Sequence, residues 1–386
     1  MKDKMKRALV TATVFGFLNF EKSDIEILQS MGYEVHTATN MYEANWLQDN
    51  GTYDNNPIVR HQIDFGRSPF SLDNIKAYRQ LKLLLRENHF DIIHCHTPVA
   101  AVITRLAAKK TRKKGTYVIY TCHGFHFHKT SAKKDWIMYY PIEKFLSHYT
   151  DMIITINKED YGVIQGFKVK EKKYIPGVGI DSEHIHNLNA ERTEILEEFG
   201  IPADAFVILV IGELSERKNQ AVILKAIQKT GDDSIYCIFC GTGYKEKEYK
   251  DMAADLGISN RVIFAGHRSH ESVMQICHAV DIGAIPSRIE GLGLAGIEIL
   301  AAGKPLVGAN IQGINDYLIP DETGYSFAPD DSDGFAKGII KLKNDKSAYE
   351  NCSGNAYATA QKFDIKTVRE LMKEIYAAAD NIIFKK

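Results

Sequence analysis

The residues best suited to chemistry lie in Ser287-Arg-Ile-Glu290-Gly-Leu-Gly-Leu-Ala-Gly-Ile-Glu298, which follows a short apolar run and leads into an apolar helix. Small residues at a strand-to-helix turn let backbone N–H groups approach an anion. The helix start adds roughly half a positive charge, so a phosphate can sit there without a metal. Glu298, about one and a half turns into the helix, can accept hydrogen bonds from sugar hydroxyls. A ligand-free reading of the pair is Glu290 as a cap and Glu298 as a solvated face.

A second cluster weighs against that plainer reading. The apolar run ending at Gly212 is followed by Glu213-Leu-Ser-Glu-Arg217-Lys218-Asn219. Two cations at a helix start oppose the usual preference for acids there, and an anionic ligand explains them. A further Gly turn, Gly241-Thr-Gly243, follows the next strand. In the first half, Thr121-Cys-His123-Gly-Phe-His126-Phe-His128-Lys129 follows a strand, and His94 and His96 end the strand before it. Five histidines suggest zinc, but no carboxylate or cysteine completes a ligand set, and no metal is expected. Asp331-Ser-Asp333 has metal-binding spacing but opens a helix, where acids cap. Gly16, after the first strand, is expected to let backbone approach a phosphate. Gly-x-Gly-x-x-Gly is missing there, which argues against a dehydrogenase.

The elements that must position these residues are legible from the apolar runs. Strands are expected at 8–14, 34–38, 58–65, 91–96, 116–122 and 151–156, and again at 206–212, 234–241, 261–266, 281–287 and 305–308. Helices lie between them, among them 72–87 with Ile75, Tyr78, Leu81, Leu84 and Leu85 on one face. Strand and helix in alternation, with continuously apolar strands, predict two doubly wound parallel α/β domains of Rossmann type. Ligands of such sheets bind at the carboxyl ends of the strands, here expected to face a cleft. The domains are placed at 1–181 and 182–363. A closing helix, 364–386, is a candidate to pack back on the N-terminal domain.

Composition agrees. Of 386 residues, 45% are hydrophobic and 25% charged, which excludes disorder and a disulfide miniprotein. A net charge of −1 gives no reason to expect nucleic acid. The charge is divided, however: residues 1–181 carry 26 Lys+Arg against 19 Asp+Glu, a net of +7, and the remainder a net of −8. From Arg105 to Lys134 there are nine basic residues and no acid, with Tyr117, Phe125 and Phe127 interleaved and Trp136 just beyond. The plain reading is a solvated surface; the sharper one is a patch that docks on an anionic membrane. Cys95, Cys122, Cys237, Cys240, Cys277 and Cys352 read as buried hydrophobes of a reducing compartment. Met1–Arg7 followed by Ala8–Phe20 has signal-peptide character but no clear cleavage site. The chain is expected in the cytoplasm, peripheral on the inner face of the cell membrane.

Taken together, the motifs resemble the retaining glycosyltransferases of family 4, which have the GT-B fold. Glu290 and Glu298 match that family's E-x7-E motif, Gly212 through Lys218 its phosphate loop, and Gly241-Thr-Gly243 its later Gly turn. The resemblance implies that Lys218, with Arg217 as helper, neutralises the diphosphate of a nucleotide-sugar donor. It further implies that Glu298 holds the ribose, that Glu290 and His123 meet the donor sugar, and that the amides of Gly291, Leu292, Gly293 and Leu294 hold sugar and phosphate. Glu213 departs from the pattern, since many members carry Arg there. The run His123–Lys129 is similar to enzymes that build capsular and exopolysaccharide units on a polyprenyl-diphosphate carrier. The expected activity is therefore metal-independent, retaining transfer of a hexose from a UDP-sugar to a lipid-linked saccharide, with no cofactor. Two alternatives share the architecture: a UDP-N-acetylglucosamine 2-epimerase, and a non-catalytic donor-binding subunit of a two-chain transferase.

Overall fold

The computed structural model describes residues 5–42, 53 and 57–384; the basic stretch 1–4 of the signal-like N-terminus lies outside them. The chain divides into two compact units, residues 1–178 with 366–386, and residues 179–365.

In the first unit seven parallel strands form one sheet: β1 (Lys6–Val14), β2 (Tyr33–Asn40), β3 (Val59–Gln62), β4 (Ile92–Cys95), β5 (Tyr117–Cys122), β6 (Met152–Thr155) and β7 (Glu171–Tyr174). Their order is β3-β2-β1-β4-β5-β6-β7. Helices α1 (Lys22–Ser30), α2 (Asp73–Glu87), α3 (Pro98–Arg112), α4 (Lys133–Leu146) and α5 (Lys158–Ile164) cover its faces. Both faces are apolar because both are covered. Two apolar clusters lie side by side on one face, Leu81, Leu84, Leu85, Ile103 and Val118 in the first and Tyr120, Phe125, Phe127, Ile153 and Phe167 in the second, since Val118 and Tyr120 stand two residues apart on β5. On α2, Ala77 rather than Ile75 faces the core; Ile75 is exposed.

The second unit opens with α6 (Ser182–Asn187) and α7 (Arg192–Glu198). Strand and helix then alternate through β8 (Phe206–Ile211), α8 (Gln220–Thr230), β9 (Ile235–Cys240), α9 (Glu246–Asp255), β10 (Val262–Gly266), α10 (His270–Ala279), β11 (Ile282–Ile285), α11 (Leu294–Ala301) and β12 (Leu306–Ala309). The unit closes with β13 (Gly324–Phe327), α12 (Ser332–Asn344) and α13 (Lys346–Ala360). The sheet order is β10-β9-β8-β11-β12-β13, all parallel. Each sheet therefore reverses direction once, at β1/β4 and at β8/β11. Those switch points are where such sheets bind ligands.

Two strands escaped the sequence reading for opposite reasons. β7 is Glu-Lys-Lys-Tyr at a sheet edge, too charged to register as apolar. β13 is short and contains a glycine whose Cβ would stand 1.8 Å from the Leu306 carbonyl oxygen. The unit boundaries also sit slightly outside those expected. Ile180 bridges Asp364 and the Ser182 hydroxyl bonds the Asp364 carboxylate, so both crossings occur beside that contact.

The last helix, α14 (Ile365–Phe384), is part of the first unit from Lys366 onward. Lys6 Nζ meets Asp380 at 2.7 Å, Arg369 meets Glu26 at 2.8 Å, and Tyr376 is buried against His94.

Candidate active site

The second unit gathers most of the expected donor residues at the β8/β11 switch point. Just past β8 comes Gly212, whose φ of +139° favours glycine and whose added Cβ would stand 3.3 Å from Lys218 Cε. The lysine stem therefore lies across this glycine. Behind the loop, Gly241-Thr-Gly243 acts as a buttress rather than a ligand cradle. A Cβ on Gly241 would meet the Gly212 carbonyl oxygen at 2.1 Å, and one on Gly243 the Leu214 carbonyl oxygen at 2.3 Å. Leu214 N donates to Thr242 O at 3.0 Å. Asn219 starts α8 in the left-handed region, φ +56°, and its side-chain amide donates to Pro286 O and Pro329 O. The cost of that backbone conformation is met by ties that hold the cationic pair against the end of β11.

Lys218 Nζ stands 2.5 Å from Glu290 Oε2, with Ser287 Oγ at 3.2 Å and Arg217 Nη1 at 3.5 Å from the same oxygen. Burial pushes the Glu290 carboxyl up, but the charges of Lys218 and Arg217 outweigh it and hold the group below the usual range. The cluster is thus one carboxylate between two cations, with positive charge in excess. Gly293, φ +82°, begins α11. A Cβ there would press on Glu290 Cγ at 2.9 Å, and its carbonyl accepts from Tyr317 OH at 3.0 Å. Leu292 is buried, whereas Gly291, Gly293 and Leu294 are part-exposed at the helix start, where the first N–H groups have no intrahelical acceptor. Glu298, further along α11, accepts a 2.8 Å bond from His270 Nε2 of α10. That bond raises His270 above the usual imidazole range. Sequence reasoning missed His270, which stands 28 residues from its partner.

His123 and Gly16 belong to the first unit. Gly16 is buried in a 3-10 turn, Phe15–Glu21, and has no positive φ. His123 lies at the carboxyl end of β5, its ring edge-on to Phe17 at 5.0 Å. Its Nε2 is 3.1 Å from His96 Nδ1 and 3.3 Å from Glu21 Oε1, and Glu21 Oε1 is 3.4 Å from His96 Nδ1. A second chain runs beside it. His94 Nε2 bonds Thr121 Oγ1 at 2.7 Å, His94 Nδ1 bonds Tyr376 OH at 2.6 Å, and Tyr376 OH donates to Asp24 at 3.0 Å.

These contacts correct the expectation that no carboxylate completes a histidine set. Glu21–His96–His123 and Asp24–His94–His96 each place ligand atoms within 4.8 Å of one another. Pairing of β1 with β4 makes the contact, across a sequence gap that spacing does not reveal. Burial drives the protonation pattern of the cluster. It lowers His123 to about 4 and His94 to about 3, and it raises Glu21 well above the usual carboxyl range and Asp24 to about 7. Burial thus favours the neutral forms throughout the cluster, uncharged rings and a protonated Glu21 carboxyl beside them.

The basic stretch is also corrected. Arg105 is fully buried in a two-pronged pair with Glu143, at 2.9 and 3.2 Å, and Arg112 pairs with Asp151. Tyr117, Phe125 and Phe127 are core residues. Lys109, Lys110, Lys113, Lys114, Lys129, Lys133 and Lys134 remain exposed. Asp331 caps α12 by accepting from Gly334 N, and all six cysteines are free and buried. No helix among the described residues is long and apolar enough to cross a membrane.

Comparison with known proteins bears on the family and the fold. A family model described as Glycosyl transferases group 1 matches residues 191–359, and one described as Glycosyltransferase Family 4 matches residues 25–183. EpsD of Bacillus subtilis, named as a glycosyltransferase, is 34% identical over 97% of each chain. The UDP-Gal:alpha-D-GlcNAc-diphosphoundecaprenol alpha-1,3-galactosyltransferase of Escherichia coli is 27% identical over 71% of this chain and 72% of its own. Among solved structures, Anabaena HepE in complex with UDP and glucose superposes with a TM-score of 0.77 at 20% identity, covering 97% of this chain and all of that one. Sucrose-phosphate synthase from Thermosynechococcus elongatus gives 0.78 at 16%, over 97% and 98%. The fold is GT-B, and the chain belongs to the family 4 glycosyltransferases.

Proposed function

We propose that this chain transfers a hexose from a UDP-sugar to a polyprenyl-diphosphate-linked saccharide, with retention of configuration and without a metal. The observation that carries the reading is the placing of Lys218, Arg217 and the start of α11 around Glu290 at one switch point. As the glycosidic bond breaks, negative charge grows on the departing diphosphate. A fixed ammonium and a helix start meet that charge, the service Mg²⁺ gives in other transferases. Glu298 takes the ribose hydroxyls, exchanging its bond with His270 for them. Glu290 exchanges part of its bond with Lys218 for a hydroxyl of the donor sugar, and His123, uncharged, offers a further hydrogen bond to that sugar. Glu290, held by Lys218 and Arg217, is assigned to binding the donor sugar rather than to nucleophilic attack. The reaction is therefore written as attack on the face the diphosphate leaves, with the leaving phosphate oxygen accepting the acceptor's proton. The E. coli relative's lipid-diphosphate acceptor and the UDP bound to HepE support the choice of substrates. The exposed lysines of the first unit support a peripheral position on an anionic membrane.

A thermal-shift panel of UDP-, GDP- and ADP-sugars tests the donor half, because a bound donor stabilises the folded state by mass action. A rise in Tm with UDP-sugars alone, unchanged by EDTA and absent in Glu298→Ala, is expected. A shift that EDTA removes would overturn metal independence and direct attention to Glu21, His96 and His123.

A further inference from the structure

The inner and outer faces of α4 are built from different residues. Inward, Trp136 and Tyr140 pack on Phe127 with ring centroids 5.0 and 5.6 Å apart, Trp136 Nε1 donates to His128 O at 3.0 Å, and Tyr139 lies 5.1 Å from the His126 ring. Glu143 is buried against Arg105. This face holds the loop that carries His123.

Outward, the helix shows Ile137 (77% exposed), Met138 (44%), Ile142 (45%) and Phe145 (55%), with Pro141 exposed among them. Residues 137, 141 and 145 stack at a spacing of four and 138 and 142 sit beside them, so the five form one continuous stripe. Apolar residues scattered singly over a surface need no explanation, but a contiguous stripe along one helix does.

Lysines surround it. Lys133 and Lys134 lie at the start of the helix and Lys144 near its end. Phe145 is edge-on to Tyr149 at 5.4 Å, and Lys109 lies over that same ring at 4.7 Å, which brings the basic end of α3 (Lys109, Lys110, with Lys113 and Lys114 beyond) alongside the stripe. None of these seven lysines is paired with a carboxylate among the described residues. The acids of α4 are Asp135 and the buried Glu143.

We infer that α4 lies in the plane of an anionic bilayer, with Ile137, Met138, Pro141, Ile142 and Phe145 inserted at the headgroup boundary and the lysines of α3 and α4 on lipid phosphates. The inference deepens the reading of a lipid-linked acceptor and rests on it for its purpose, though not for its geometry. An amphipathic helix with lysines beside its apolar face binds in this way through area and charge together. A second copy of the chain is the poorer occupant, because it would bring two sets of unpaired lysines face to face. The inserted helix grips the His123 loop through Trp136 and Tyr140, so the lipid-diphosphate end of an acceptor would be held at the same side of the unit as that histidine.

Flotation of the full chain with phosphatidylcholine vesicles, with and without about one-third phosphatidylglycerol, tests this. The wild type should float with the anionic vesicles only. Ile137→Ser/Phe145→Ser should lose about tenfold or more in partitioning while keeping its Tm and its UDP-sugar shift, which shows that it is folded. In an Ile137→Trp variant, brominated acyl chains should quench the new tryptophan. Failure of the wild type to float overturns the inference. So does undiminished flotation of the serine variant with loss on Lys109→Glu/Lys110→Glu, the mark of charge without insertion. Concentration-dependent dimerisation removed by the serine pair, without flotation, assigns the stripe to a second copy and overturns it too. Flotation with no UDP-sugar shift would instead leave α4 as inferred and refute the donor site.

Discussion

Lys218 Nζ and Glu290 Oε2, 72 residues apart in sequence, stand 2.5 Å apart where the second sheet changes direction. The cation assigned to the phosphate and the carboxylate assigned to the sugar form one unit before any ligand arrives. Glu290 holds Lys218 over Gly212, and the donor must divide the pair between its diphosphate and its hexose.

The two halves of that pair should fail differently. Lys218→Ala removes the charge that meets the leaving diphosphate, and kcat should fall about 10²–10³-fold with weaker UDP binding. Glu290→Gln removes the anion that competes for Lys218. UDP should bind as tightly as to the wild type or tighter, while transfer falls about 10²-fold. Calorimetric titration with UDP, set beside a transfer assay, separates the two; equal losses of UDP affinity in both variants would contradict the shared-pair account.

His270 adds a pH dependence. Its bond to Glu298 raises its pKa, so below that value the charged ring holds the carboxylate, and above it the ring releases the carboxylate to a ribose. UDP-sugar affinity should rise as pH increases from 6 to 8, and His270→Ala should flatten the profile. A UDP-sugar is the proper probe, because its diphosphate does not titrate in this range. Identical slopes in variant and wild type would refute the exchange.

Much of this was legible in the sequence because motif and element coincide. Gly212 to Lys218 and Glu290 to Glu298 each span one strand-to-helix turn, so spacing alone places them. The doubly wound order followed from apolar runs long enough to be covered on both faces. What stayed hidden depends on contacts far apart in the chain. Glu21 reaches His96 and His123, Tyr376 of the closing helix reaches His94, and His270 reaches Glu298 from another helix. The basic run from Arg105 to Lys134 misled because charge in sequence does not reveal direction: Arg105 points inward to Glu143, and Phe125 and Phe127 belong to the core.

Glu21 should tolerate an amide but not a deletion. Burial raises its carboxyl well above the usual range beside His123 and His96, favouring the neutral acid whose shape Glu21→Gln keeps. Its kcat should stay within about threefold of wild type, whereas Glu21→Ala should lose about tenfold or more by freeing the His123 ring. Kinetics of the two variants check this. An inactive Glu21→Gln that has kept its Tm would mean that the carboxylate form is needed, as it would be for a metal ligand.

Asp24 predicts a stability difference with a defined sign. Its folded pKa is raised to about 7 from an unfolded value near 4, so the folded state holds a proton that the unfolded state has lost. The resulting stability is fully present below pH 4 and is lost as pH rises to 7. Asp24→Asn, whose amide oxygen can still accept from Tyr376 OH, does not titrate. Its stability relative to wild type should climb between pH 4 and 7 and level off above, by a few kcal/mol. Urea melts at several pH values measure it, and a difference independent of pH would show that the carboxyl is not held neutral.

The central claim is that fixed cations at the second switch point replace a metal in transfer from a UDP-sugar to a lipid-linked saccharide. The most direct measurement is transfer from radiolabelled UDP-hexoses to a polyprenyl-diphosphate-linked saccharide in excess EDTA, with wild type and Lys218→Ala side by side. Labelled lipid formed by the wild type at an EDTA-insensitive rate, and reduced by about 10²-fold or more in the variant, is the predicted result. Transfer abolished by EDTA, or proceeding at full rate without Lys218, would contradict it.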